Sequence, residues 1–275
     1  MASPELTNPR AERVRSVRRL ATRAFRHEQR RFLVEGAQAV REATSATQDA
    51  GVVLHELFVT PESGARHADL VADARAAGVP VVWATEQVLA ALSDTVTPQG
   101  LVAVCEFLDQ SLKSVLDRSP SLIALLAQVR DPGNAGSVVR AADAAGADAV
   151  VFSSGSVDPY NGKVVRASVG GLFHLPLVTD VPVLESIRQL RAAGLQVLAA
   201  DGAGNLDLDD AERAGMFSRD TVWLFGNEAW GLSQELRDAA DDVVRIPIYG
   251  RAESLNLATA AALCLYASAR SQRSL

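Results

Sequence analysis

From residue 121 onward, unbroken apolar runs alternate with amphipathic stretches: LIALLAQV, DAVVF, LPLV, LQVLAA, TVWLF and VVRIPI. None has the every-second-residue polarity of a half-exposed strand. They predict strands covered on both faces, as in a parallel sheet between helices. The closing stretch, SLNLATAAALCLYASAR, predicts a long helix rich in small residues. The first hundred residues alternate in the same way but more weakly. FLVEG, LHELFVT, VPVVWAT and LVAVCEF are strand candidates, with AQAVREATSATQDAG (37–51) and HADLVADARAAG as helices between them. The polar stretch LDQSLKSVLDRSPS interrupts the rhythm. The chain therefore divides into a small α/β domain over 1–107, a linker over 108–120 and a larger α/β domain over 121–275.

Composition narrows the class. The chain has 275 residues, 48% hydrophobic and 22% charged, the balance of a globular protein. No charge-free apolar stretch is long enough for a membrane span, and MASPELTNPRAERVRSVRRL lacks the apolar centre of a signal peptide. Two cysteines, Cys105 and Cys264, make no disulfide framework, and four scattered histidines make no zinc site. These features point to the cytoplasm, with no metal and no membrane partner. The net charge of −6 is unevenly spread: nine Arg against three Glu give residues 1–31 a local +6, leaving −12 on the other 244. A basic arm on an acidic body suits a polyanion. VRSVRRLATRAFR also reads as a solvated amphipathic helix, with Val14, Val17, Leu20, Ala21 and Phe25 buried.

Three strand ends carry unusual residues, and ligands of such sheets sit beyond the carboxyl ends of strands. In DPGNAGSVVR, a turn brings Asn134 and then Arg140 within reach of the strand ends; Asn134 is also readable as a helix cap with an exposed Arg140. In LFGNEAWGLSQEL, Gly226 stops a strand directly before Asn227 and Glu228. A glycine there leaves room for a ligand against the backbone. In VVRIPIYGRAESLNLATA, Ser254 reads as a helix cap, and Asn256 in the first turn has no propensity reason to be there.

Together the three stretches, as NAGSVVR, LFGNEAWG and IPIYGRAESLN, resemble the SpoU (TrmH-like) RNA 2′-O-ribose methyltransferases of the SPOUT superfamily. RRFLVEGAQAVREA and TPQGLVAV are similar to that family's substrate-recognition domain. The resemblance implies a parallel-sheet catalytic domain with a C-terminal trefoil knot, S-adenosyl-L-methionine as cofactor, and a homodimer through that domain. It implies catalytic roles for Asn134, Arg140, Glu228, Ser254 and Asn256. It also implies cofactor binding at Ala199, Gly226, Ile246 and Leu255. Arginine stays protonated, so Arg140 suits a phosphate grip better than a base. Beside an RNA-modifying domain, the basic arm implies RNA contact through Arg18, Arg19, Arg23, Arg30 and Arg31. Ribosomal RNA is the favoured substrate. Transfer RNA and a non-catalytic RNA-binding protein are the alternatives. A dinucleotide- or ATP-using enzyme would need a phosphate loop that the chain lacks.

Overall fold

Apolar runs become strands where both faces can be covered, and the computed structural model, which describes residues 3–50, 53–95 and 97–273, contains two such sheets. The first half supplies β1 (Arg31–Glu35), β2 (Leu54–Val59), β3 (Val81–Trp83) and β4 (Leu101–Glu106). Their order is β1-β4-β2-β3, with β4 antiparallel to both neighbours and β2 parallel to β3. Phe58, Val82, Val102 and Val104 fill one face together with Val14 and Leu20 of the arm. The helix expected over 37–51 spans Ala37–Ala50, and Gly51 lies outside the described residues.

The basic arm is not one continuous helix. Glu12–Arg18 tightens into the 3₁₀ turn Arg19–Ala21, breaks at the extended Thr22, and restarts as Arg23–Gln29. Arg26, only 3% exposed, donates to the Leu20 and Ala21 carbonyls at 2.9 and 2.7 Å. It satisfies acceptors that the break would otherwise strand. The expected apolar face is corrected accordingly. Val14 and Leu20 are buried, Val17 and Phe25 half-buried, and Ala21 exposed.

The second sheet holds β5 (Leu122–Leu126), β6 (Ala149–Ser153), β7 (Leu177–Val181), β8 (Gln196–Ala200), β9 (Leu206–Asp207), β10 (Thr221–Phe225) and β11 (Asp242–Arg245). All its pairings are parallel, in the order β7-β6-β5-β10-β8-β11-β9. Residues of the central strands β5 and β10 are buried throughout, as the unbroken runs require. The last run, VVRIPI, is strand only to Arg245; Pro247 has no N–H for a ladder, and the chain leaves the sheet before it. The final helix Leu257–Arg273 packs on the helix Pro132–Ala145, and Trp223 Nε1 on β10 donates to its Ser268 Oγ at 2.9 Å.

The chain forms two compact units. One runs to Leu108 and also takes in Tyr160–His174; the other comprises Asp109–Pro159 and the chain from Leu175. The segment expected as linker carries the helix Leu112–Leu116 and, from Asp109, belongs to the second unit. Residues 160–174, inside the span 121–275 expected as one domain, pack with the first unit. The Tyr160 ring stacks on Phe107 at 3.9 Å, and its hydroxyl accepts from the Leu108 N–H at 2.7 Å. Among the described residues no helix is long and apolar enough to cross a membrane.

Candidate active site

The turn after β5 is built around a carboxylate cap. Asp131 Oδ1 accepts from the Asn134 N–H at 2.7 Å, and Pro132 takes the first helical position, where its missing N–H costs nothing. Asn134 therefore lies inside the helix rather than capping it. Its side chain is left to reach outward.

What it reaches is the loop after β10. Asn134 Nδ2 donates to Glu228 Oε1 at 3.3 Å, and the same carboxylate accepts from the Arg130 and Asp131 N–H groups, both at 3.1 Å. Asn256 Nδ2 donates to Asn134 Oδ1 at 2.8 Å, while Asn256 Oδ1 accepts from the Ala258 N–H at 2.9 Å. Asn256, not Ser254, is thus the cap of the final helix, and Ser254 is exposed in the preceding loop. An ionised carboxylate only accepts, so Glu228 makes Asn134 turn its NH₂ inward and offer its oxygen to Asn256. One carboxylate orders all three motifs.

Gly226 is required by the protein itself. A Cβ there would meet the Gly231 carbonyl carbon at 2.5 Å and the Leu232 nitrogen at 2.7 Å. The loop closes that tightly because Asn227 and Gly231 exchange backbone hydrogen bonds of 3.1 and 2.9 Å. The space that a side chain would need is filled by the chain, and the backbone of Gly226 is left at the cavity. Gly226→Ala should lower the melting temperature and loosen the loop even without ligand, which thermal unfolding of the unliganded protein will read; an unchanged Tm would contradict this packing.

These strand ends enclose a cavity of about 600 Å³. Asn134, Glu228, Ser254 and Asn256 line it, as do Gly226, Ile246 and Leu255. Two expected residues do not. Ala199 is wholly buried in the sheet core, and its successors Ala200 and Asp201 line the cavity where the chain leaves β8. Arg140 is exposed on the helix; six residues from Asn134 amount to a rotation about 120° away from it. The arm residues Arg18, Arg19, Arg23, Arg30 and Arg31 belong to the first unit.

Three contributors escaped the sequence reading. Asn227, 5% exposed, donates to the Gln128 carbonyl at 2.7 Å and ties the β10 loop to the end of β5. Asp201 accepts from the Ala203 N–H at 2.9 Å and pairs at 3.5 Å with Arg237, joining the loop after β8 to the helix Gln234–Ala239. Trp230, 55% exposed, lies beneath the Arg130 guanidinium at 5.0 Å. An Asp beside glycines at a strand end, as in AADGAG, was the available signal for Asp201. A single Asn or Trp in a loop gave none.

Known proteins resemble the chain over nearly its whole length. Residues 121–266 match the SpoU rRNA Methylase family, and residues 11–103 match the MRM3-like substrate binding domain. The 23S rRNA (guanosine(2553)-2′-O)-methyltransferase RlmP of Bacillus subtilis is 31% identical over 95% of this chain and 98% of its own length. An AdoMet-bound rRNA methyltransferase from Sinorhizobium meliloti superposes with a TM-score of 0.83 at 32% identity, covering 96% of this chain and 97% of that one. The SpoU methyltransferase AviRb from Streptomyces viridochromogenes, in complex with AdoMet, gives 0.81 at 32% identity over 96% and 99%. With its three strand-end motifs gathered by one carboxylate and its recognition domain ahead of them, the chain belongs to the SpoU rRNA methylase family.

Proposed function

We propose that the protein transfers a methyl group from S-adenosyl-L-methionine to a ribose 2′-hydroxyl of ribosomal RNA. The observation that carries this reading is the Asn256–Asn134–Glu228 network at the edge of the cavity. The cavity suits the cofactor. Ile246, Leu255 and Val244 give apolar walls for an adenosyl group, and Gly202 leaves the backbone open, since a Cβ there would meet nothing within 4 Å. Bound there, S-adenosyl-L-methionine supplies an electrophilic methyl group. The protein's part is to position the nucleophile. Asn134 and Asn256, held in one orientation by Glu228, offer amide groups to the hydroxyl. Glu228 itself already accepts three N–H donors, which fits an organising role.

The missing cation comes from a second copy. Arg140 is exposed and outside the cavity of its own chain, so a two-fold partner would deliver it to grip the phosphate beside the target ribose. Leu263 and Tyr266 on the final helix are 44% and 42% exposed, and such a homodimer would cover them. The C-terminal knot is part of the same reading. β11 lies beyond β8 and β10, yet Asn256 soon afterwards bonds Asn134 past the end of β5. The buried, unpaired thiols Cys105 and Cys264 are in keeping with a cytoplasmic setting.

Labelled methyl transfer to unmodified ribosomal and transfer RNA, with mapping of the modified ribose, tests the proposal. Ribosomal RNA should be methylated; transfer RNA alone would favour the alternative substrate, and no incorporation would favour a binding protein. For the arm, Arg18→Ala, Arg19→Ala and Arg23→Ala together should weaken RNA binding and flatten its salt dependence by about two units of slope. Cofactor affinity should not change. An unaltered slope would reduce the arm to a solvated surface.

A further inference from the structure

The stretches VEGAQ and TPQG serve neither the cavity above nor the arm, yet the first unit brings them together. Residues 35–39, 95, 97 and 99 wall a second cleft of about 240 Å³, closed on its far side by Arg166 and Val169 of the inserted segment. Its loop is held from beneath by Glu35, whose side chain is only 8% exposed. That carboxylate accepts from the Asp94 N–H at 3.0 Å, from Thr95 Oγ1 at 3.1 Å, from Ser93 Oγ, and from Arg166 at 3.3 Å. Gln99 Oε1 accepts from the Ala37 N–H at 3.2 Å, which turns the Gln99 NH₂ away from that contact. Among the described residues it donates to no protein acceptor. Thr95, Gln99 and Arg166 are therefore held in place before any ligand arrives.

Val169 is the odd member. A β-branched residue at φ 51° and ψ 36° occupies the left-handed region, where its side chain is strained, and it is 42% exposed. The conformation ends the helix Gly162–Ser168, its N–H bonding the Arg166 carbonyl, but that cap favours glycine or asparagine and gives no reason for a β-branched apolar side chain held in water. Strain of this kind gathers at binding sites. An apolar surface beside a free amide donor, two threonine hydroxyls and a guanidinium at the rim is the chemistry that receives one flat, polar-edged ring. It is too small for a folded peptide.

We propose that this cleft takes an unstacked nucleobase of the substrate RNA, a reading that rests on RNA being the substrate. The base lies against Val169, Gln99 Nε2 and the hydroxyls of Thr95 and Thr97 read its edge, and Arg166 meets the adjoining phosphate. Structured RNA is distinguished largely through such extruded bases.

The test uses the full-length protein and an unmodified ribosomal RNA transcript, with affinity measured by filter binding. Gln99→Glu keeps the acceptor for Ala37 and removes the amide donor. Val169→Gly relieves the strain and removes the apolar face. Each should weaken RNA binding about fivefold to tenfold and raise the KM for RNA, with cofactor affinity unchanged. Val169→Gly should keep or raise the Tm, which separates a binding role from a structural one. Wild-type affinity in both variants would overturn the cleft. Wild-type methyl transfer to the same transcript reads the parent proposal separately. RNA bound through the cleft without transfer would leave the cleft standing and remove the activity.

Discussion

Glu228→Gln should cut methyl transfer about a hundredfold while leaving cofactor affinity within a few-fold of the parent. The carboxylate accepts from the Arg130 and Asp131 N–H groups and from Asn134 Nδ2. A glutamine keeps one acceptor oxygen and turns an NH₂ against a backbone N–H, so at least one donor loses its partner. Hydrogen bonds to a charged acceptor are worth about 1.5–3 kcal/mol each. Part of that loss appears as a Tm lower by a few degrees. The rest appears as freedom in Asn134, which no longer has a reason to face its oxygen to Asn256. Steady-state kinetics with saturating cofactor will separate the two. A kcat within threefold of wild type would show that the network supports the fold alone.

Mixing two dead proteins should restore activity. Arg140→Ala leaves the cavity intact, and Leu255→Asp places a charge on the cavity wall at a residue already 36% exposed, so both variants should fold. Each alone should lose at least about a hundredfold in rate, the scale of one preorganised charged donor. If Arg140 serves the partner's cavity, a mixed dimer has one site with both residues intact. Random reassortment of equal amounts then gives about a quarter of wild-type activity. Light scattering on the same samples reads the oligomeric state. A monomer would end the proposal; a dimer without recovery would place Arg140 in its own chain's site.

The sheet strands and the three motifs were legible because each rests on a local rule. Unbroken apolar runs marked six of the strand positions, and the weaker alternation of the first half marked four more. What was misplaced depended on competition between neighbours. Asp131 out-competed Asn134 as a cap, and Asn256 did the same to Ser254, because the stronger or better-placed acceptor takes the free N–H groups. At Gly226 the expected glycine lines the cavity, but what forbids a side chain there is Gly231, fixed by the loop's closure, which no local rule records. Ala199 lies in the core because the cavity begins only where β8 ends, at Ala200 and Asp201, and a strand's last residue is the boundary that a sequence pattern marks least sharply. Arg26 was counted with the solvated arginines, and nothing in a run of arginines marks the one that seals a helix break. The packing of 160–174 into the first unit is a long-range choice that no local rule records.

The order of strands in the second sheet has a consequence for how the protein is made. β5 pairs with β6 on one side, but its other neighbour, β10, lies about a hundred residues later. At roughly 5–20 residues per second, β5 leaves the ribosome about 5–20 s before its partner exists. During that interval an apolar edge waits unpaired, while the recognition unit still lacks the Tyr160–His174 segment that completes it. Neither unit can therefore be finished in the order in which it is translated. A nascent chain halted between residues 126 and 174 holds two incomplete cores at once, and that window is where a chaperone is needed most.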